Sequence, residues 1–194
     1  MLSVSEVIDD RGKIINMKSN LTLIGMPGAG KSTIGIILAK VLSFGFIDTD
    51  ILIQVNRQKS LQQIIDESDH FNLRKIEEEE ILKINVENQV IATGGSAVYS
   101  EKSMSHLKSI SIIVFLKVEY AEISKRIHNF NTRGIARSKD QKLSDLYDER
   151  QVLYNKYAEL IVDCNTLDQE EIAMEIAKQY NQMGLINKRI NDGK

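Results

Sequence analysis

Short apolar runs alternate along the chain with longer segments whose apolar positions recur every three or four residues. Such runs are typical of strands buried on both faces, and such segments of helices that cover a sheet. Strands are predicted at 21–24, 44–47, 89–92, 111–116 and 160–163. Helices are predicted at 31–43, 61–84 with a break near 69–70, 119–128, 143–157 and 169–182. The alternation predicts an α/β fold with a parallel sheet between two layers of helices.

The chain has the size of one domain with short extensions. It contains 194 residues, of which 42% are hydrophobic and 27% charged, a composition typical of a globular protein with a sizeable core. Residues 1–19 are predicted to form an N-terminal extension, residues 20–182 the domain, and residues 183–194 a C-terminal tail. The single cysteine, Cys164, excludes a disulfide framework.

Charge and hydropathy exclude several classes of partner. The net charge of −2 leaves no global basic field to hold nucleic acid or an anionic membrane. No apolar run approaches the roughly 18 residues that span a bilayer. Charged residues interrupt the first 20 positions, unlike a secretory signal. We therefore expect a cytoplasmic protein that binds neither nucleic acid nor membrane.

A glycine-rich segment follows the first predicted strand and opens the first predicted helix. Residues 25–32 read Gly-Met-Pro-Gly-Ala-Gly-Lys-Ser and match the phosphate-loop pattern G-x-x-x-x-G-K-[ST]. Glycines let backbone N–H groups cradle phosphate oxygens at a helix N-terminus. Lys31 supplies a positive charge to the outer phosphates, and Ser32 a hydroxyl ligand for Mg²⁺. The motif predicts binding of a nucleoside triphosphate and leaves the fate of the phosphate open.

Two aspartates, Asp48 and Asp50, follow the second predicted strand. On an extended segment, residues two apart point the same way, so both carboxylates would face the crevice with Thr49 turned away. One carboxylate would hold Mg²⁺ through water, and the other would orient or deprotonate an attacking hydroxyl. The alternative is a polar turn in which an aspartate caps the next helix.

Further candidates for binding an anionic acceptor occur downstream. Arg74 and Glu77 are three apart on a predicted helix, where the carboxylate would orient the guanidinium for a bidentate grip on an anion. The alternative is a solvated ion pair on the helix surface. Gly94 and Gly95 end a strand, where they permit close approach of a ligand to the backbone or form a plain tight turn.

The long polar segment 129–142 contains Arg133 and Arg137. Loops of this length are usually functional or mobile, and this one is predicted to be a lid that brings an arginine to the transferring phosphoryl group. The alternative is a solvated loop. Arg150 lies on the next predicted helix, from which it would return to the crevice.

Taken together, these residues resemble the shikimate kinase family over about residues 20–182. The resemblance rests on Gly25–Thr33, Asp48–Asp50, Arg74 with Glu77, Gly94–Val98, Arg133 and Glu149–Tyr154. It implies a three-layer P-loop kinase fold with a five-stranded parallel sheet of order 2-3-1-4-5 flanked by helices. It also implies a lid at about 129–142 and acceptor-binding helices at about 51–88.

The resemblance also implies a role for each site residue. Lys31 and Arg133 would stabilise the transferring phosphoryl group, while Ser32 and Asp48 would serve Mg²⁺, directly and through water. Asp50 would bind the acceptor hydroxyls and act as base. The implied nucleotide-binding residues are Gly25, Gly28, Ala29, Gly30, Lys31, Ser32, Thr33 and Arg126, the last stacking on adenine. The implied acceptor-binding residues are Asp50, Arg74, Gly94, Gly95 and Arg150.

The chain departs from the family pattern at several positions. Ser96 replaces a third glycine, Leu73 a phenylalanine and Val152 a proline, and Gly134-Ile-Ala136 replaces a proline and two leucines after the lid arginine.

The resemblance implies a monomeric kinase that uses ATP and Mg²⁺ to phosphorylate the 3-hydroxyl of shikimate, a small-molecule acceptor in aromatic amino-acid biosynthesis. The alternatives are a paralogous kinase of a gluconate-like acid or a nucleotide, and a non-catalytic ATP-binding module.

Overall fold

The computed structural model describes residues 6–8, 14–16, 18–128 and 134–191. Its strands are β1 (Glu6–Ile8), β2 (Ile14–Asn16), β3 (Asn20–Ile24), β4 (Gly45–Asp48), β5 (Gln89–Ala92), β6 (Ser111–Lys117) and β7 (Leu160–Asp163). Its helices are α1 (Lys31–Leu42), α2 (Thr49–Arg57), α3 (Leu61–Glu67), α4 (His70–Leu82), α5 (Glu101–Ile110), α6 (Tyr120–Arg126), α7 (Leu143–Tyr157) and α8 (Gln169–Asn191). A short 3-10 helix, Ala97–Tyr99, lies between β5 and α5.

The central sheet has five parallel strands in the order β4-β5-β3-β6-β7. Counted from β3, this is the order 2-3-1-4-5, which confirms the expected architecture. The strands β1 and β2 pair antiparallel in a separate two-stranded sheet. The sequence reasoning did not predict these two strands, which lie within residues 1–19.

The apolar runs form the middle of the sheet because strands there are covered on both faces. Every residue of β3 is buried, as are six of the seven residues of β6. Helix α1 packs against β5 and α8, whereas α5 and α7 pack against β6. Cys164, at 2% exposure, belongs to this apolar core. Several segments that carry candidate site residues lie in the loops that follow the carboxyl ends of the strands.

The boundaries between helices follow from their capping residues. Asp69 ends the irregular break after α3 and accepts a hydrogen bond from the Asn72 N–H at 2.7 Å, as an N-cap residue does. This confirms the predicted break near residues 69–70. Helix α8 continues to Asn191, nine residues beyond its predicted end at Gln182. No helix in the described part of the chain is both long and apolar enough to cross a membrane.

Candidate active site

The phosphate loop connects β3 to α1, as the sequence predicted. Gly28 and Gly30 have φ angles of 82° and 95°, a left-handed conformation that favours glycine. Lys31 is the first residue of α1, and its ammonium group folds back to donate to the carbonyls of Gly25 at 2.8 Å and Met26 at 3.0 Å. The loop therefore concentrates backbone N–H groups and one buried cation at the start of a helix, as an anion site requires.

Asp48 connects the phosphate loop to α2. It is the last residue of β4, and its Oδ2 accepts a hydrogen bond of 2.6 Å from the Ser32 hydroxyl. Its Oδ1 accepts from the N–H groups of Asp50 at 3.0 Å and Ile51 at 3.2 Å, so Asp48 is the N-cap of α2. The extended geometry predicted for residues 48–50 is therefore wrong, and the capping alternative is right. Asp50 lies in the first helical turn.

The first helical turn nevertheless brings Asp50 to the crevice. Thr49 is fully buried, and its hydroxyl accepts a hydrogen bond from the Gly94 N–H at 3.0 Å. A methyl group at Gly94 would lie 2.6 Å from Oδ1 of Asp50 and 2.2 Å from Oε1 of Glu77. Two carboxylates of the chain itself thus converge on Gly94 and leave room for no larger residue there. The predicted approach of a ligand to this backbone stays a prediction.

Glu77 is buried at 3% exposure, and its contacts differ from those expected. Its Oε2 accepts a hydrogen bond of 2.6 Å from the Ser96 hydroxyl, while its Oε1 has no hydrogen-bond partner among the described residues. Burial and the neighbouring Asp50 charge raise the pKa of Glu77 to about 7. The prediction that Glu77 orients Arg74 is wrong, because among the described residues neither oxygen of this carboxylate bonds to the guanidinium.

The two predicted acceptor-binding arginines meet at one carbonyl group. Arg150, 1% exposed on α7, donates through Nη2 to the Ala136 carbonyl at 2.7 Å. Arg74 reaches the same carbonyl through Nη2 at 3.5 Å, and its Cζ lies 3.6 Å from the ring centroid of Tyr99. Burial lowers the pKa of Arg74; the Tyr99 phenol opposes this shift and the Arg150 charge adds to it. The guanidiniums therefore define one anion-sized position, filled by a lid carbonyl.

One crevice of about 380 Å³ collects most of the predicted site residues. It is lined by Gly28, Gly30, Lys31, Ser32, Thr33, Asp50, Gly94, Gly95, Arg126 and Arg150, all predicted, together with Gly134, Ile135 and Ala136 of the lid. Gly25 and Ala29 lie in the phosphate loop beside it. Arg74 lines a neighbouring cavity rather than the crevice itself. Arg133 lies outside the described residues.

A second cavity of about 550 Å³ continues the crevice past the phosphate loop. The two cavities share Gly28, Gly30, Arg126 and Gln169, and the second also contains Cys164 and Leu167. Sequence reasoning missed Gln169 and Leu167, since neither belongs to a motif. The two cavities together can hold an elongated ligand whose anionic middle lies at the phosphate loop. One end of this ligand would lie near Arg126 and the other near the carboxylates of Asp50 and Glu77.

Comparison with known proteins decides the family. A shikimate kinase family model matches residues 27–181. The chain is 38% identical over 167 residues to a shikimate kinase of Clostridium botulinum, covering 84% of this chain and 96% of that protein. It is also 32% identical to a shikimate kinase of Thermodesulfovibrio yellowstonii over the same shares. The chain belongs to the shikimate kinase family. Its members are small-molecule kinases.

Solved structures of this family share the fold. A shikimate kinase from Acinetobacter baumannii, solved in complex with shikimate, superposes with a TM-score of 0.78 at 28% identity and covers 88% of this chain and 94% of that one. The Aquifex aeolicus shikimate kinase superposes with a TM-score of 0.71 at 28% identity, covering 85% and 99%. A thymidylate kinase from Candida albicans, at 14% identity and a TM-score of 0.59, shares only the fold.

Proposed function

We propose that this shikimate kinase family member transfers the γ-phosphoryl group of ATP, with Mg²⁺, to the 3-hydroxyl of shikimate. The observation that carries the proposal is that Arg74 and Arg150 both donate to the Ala136 carbonyl oxygen. Ala136 lines the same crevice as Asp50. Two guanidinium groups directed at one point can bind the carboxylate of an acceptor. The Asp50 carboxylate in the same crevice can bind or deprotonate a hydroxyl of that acceptor. Shikimate carries both groups on one small ring.

The donor side of the crevice suits ATP. The phosphate loop would receive the β- and γ-phosphates, with Lys31 beside them to neutralise the charge that develops during transfer. Arg126 and the second cavity would receive the base. Arg133, outside the described residues, is proposed to reach the transferring group from the lid.

The residues present also fit a magnesium ion. Hard oxygen ligands are what Mg²⁺ prefers, and the Ser32 hydroxyl and Asp48 carboxylate supply such oxygens within 2.6 Å of each other at the phosphate loop. Ser32 would ligate the ion directly and Asp48 through water. A bound Mg²⁺ supplies charge neutralisation on the phosphate oxygens.

On the acceptor side, Asp50 would take the proton of the attacking hydroxyl or hold that hydroxyl in line with the γ-phosphorus. Gly94 and Gly95 would let the acceptor ring approach the backbone. Arg74 and Arg150 would bind the acceptor carboxylate once it replaces the Ala136 carbonyl. Transfer then requires positioning and charge stabilisation rather than a covalent enzyme intermediate.

The proposal is tested by coupled ADP release from the full chain with ATP, Mg²⁺ and a panel of acceptors: shikimate, gluconate and nucleoside monophosphates. We expect shikimate alone to raise the rate above basal hydrolysis, with phosphorus NMR locating the phosphate on the 3-oxygen. Stimulation by gluconate or a nucleotide instead would indicate a paralogous kinase. ATP binding by calorimetry without turnover on any acceptor would indicate a binding module.

Substitution of Gly94 by alanine is expected to lower kcat/KM for the acceptor about a hundredfold, because the added methyl group displaces the Asp50 and Glu77 carboxylates. The KM for ATP is expected to stay unchanged, since the three atoms nearest this methyl position all belong to Asp50 and Glu77 and not to the phosphate loop. Steady-state kinetics with each substrate varied in turn measures both constants. An unchanged acceptor kcat/KM would show that this glycine does not border the acceptor site.

A further inference from the structure

The Tyr99 side chain lies against both acceptor-binding arginines. The Arg74 guanidinium stacks on the face of the Tyr99 ring, with its Cζ 3.6 Å from the ring centroid. The Arg150 Cζ lies 5.4 Å from the same centroid, and the Arg150 Nε donates to the Tyr99 hydroxyl at 3.4 Å. One aromatic residue therefore contacts two guanidiniums that lie on different helices, α4 and α7.

Apart from Tyr99, few contacts hold the Arg74 guanidinium in place; its Cζ also lies 5.9 Å from the ring centroid of Phe71. Among the described residues, its guanidinium makes one long hydrogen bond, to the Ala136 carbonyl at 3.5 Å, and its Nε is buried without a partner. Glu77, the carboxylate three residues along the same helix, is bonded to Ser96 instead. The stacking contact with Tyr99 is thus the closer of the two aromatic contacts of this cation, and aromatic faces attract guanidiniums.

Two like charges directed at one oxygen repel each other, so something must hold them together before an anion arrives. The negative face of an aromatic ring offsets part of this repulsion without itself neutralising either charge. Tyr99 ends the 3-10 helix Ala97–Tyr99, which begins two residues after Gly95, and its N–H donates to the Ser96 carbonyl at 3.0 Å. The backbone that carries the ring is therefore held close in sequence and by a hydrogen bond to the turn that contains Gly94 and Gly95.

We propose that Tyr99 is a positioning residue that preassembles Arg74 and Arg150 into one carboxylate-binding pair. This inference rests on the proposed function, since it concerns the carboxylate of the acceptor. Tyr99 would contact the arginines and not the acceptor or the phosphates. Its loss would therefore weaken recognition of the acceptor's charge and leave nucleotide binding and the chemical step intact.

The test compares Tyr99→Leu and Tyr99→Phe with the unaltered chain, using shikimate and its uncharged methyl ester as acceptors. We expect Tyr99→Leu to raise the KM for shikimate about tenfold. Tyr99→Phe keeps the ring and is expected to raise this KM by less than about threefold. The KM for the ester, the KM for ATP and kcat should not change. Tyr120→Leu removes an exposed tyrosine from α6 and serves as the matched control.

The outcomes separate this inference from the proposed function. If the unaltered chain phosphorylates shikimate and Tyr99→Leu leaves its KM unchanged, only the role of Tyr99 is overturned. If Tyr99→Leu raises the KM for the acid and the ester equally, Tyr99 supports the fold of the site rather than the pairing of charges, and the inference is again wrong. If the unaltered chain phosphorylates only uncharged acceptors, or none, both proposals are wrong.

Discussion

Replacement of Lys31 by methionine is expected to lower kcat on the order of a thousandfold. Lys31 is 8% exposed, and its ammonium group is held over the phosphate loop by the Gly25 and Met26 carbonyls. Methionine keeps much of the length and packing of lysine but cannot neutralise the charge that develops on the transferring phosphoryl group. The measurement is the acceptor-dependent rate at saturating ATP and acceptor.

The control for this substitution is Lys40→Met, which removes an exposed cation from the last turn of the same helix. It is expected to leave kcat unchanged. Thermal unfolding of both variants checks that the fold is kept. A Lys31→Met chain that is folded and retains more than about a tenth of the rate would contradict the role given to this lysine.

Substitution of Glu77 by glutamine is expected to stabilise the fold at pH 8 and to have little effect near pH 5. Burial and the Asp50 charge raise the pKa of Glu77 from 4.5 to about 7 in the folded chain. The folded state therefore holds the proton more tightly than the unfolded state. Stability falls as pH rises between these two values, and the full penalty, at most about 3 kcal/mol, persists above pH 7. Glutamine removes that penalty because it carries no charge.

The measurement is the free energy of unfolding in urea for both chains at pH 5, 6, 7 and 8. The difference between variant and unaltered chain should grow with pH and level off above about pH 7. Glu78→Gln changes the next carboxylate of the same helix, which is 30% exposed, and its effect should not follow this profile. A pH-independent difference for Glu77→Gln would mean that Glu77 is ionised throughout this range.

The fold could be predicted largely because its strands are buried on both faces. Burial requires continuous apolar runs, and the Ser111–Leu116 run corresponds to six of the seven positions of β6. The segment after β4 was harder, because two aspartates two residues apart fit an extended segment as well as the start of a capped helix. Capping by the Asp48 carboxylate overrides this local pattern and starts a helix at Thr49.

In the candidate site, residues within short motifs could be predicted from the sequence, whereas contacts between distant residues could not. Lys31, Ser32 and Asp50 were located by sequence because each belongs to a motif at the end of a predicted strand. The contacts of Glu77 and Arg74 were not, because their partners Ser96 and Tyr99 lie about 20 residues away in sequence. Position 96 did carry a signal, since a serine stands there in place of the family's third glycine. A single sequence does not show which neighbouring carboxylate that hydroxyl would bind.

The contact between the phosphate loop and the turn at Gly94 and Gly95 bears on the kinetics of the proposed transfer. A methyl group at Gly95 would lie 2.8 Å from Cδ of Pro27, so these two segments touch without a gap. The Tyr154 hydroxyl, donating to the Gly95 carbonyl at 2.8 Å, holds the turn against the helix that carries Arg150. In the proposed reaction, packed backbone would thus set the distance between the bound ATP and the acceptor. Part of the entropy lost in bringing phosphate and hydroxyl together is therefore lost once, when the chain folds, and not at every turnover.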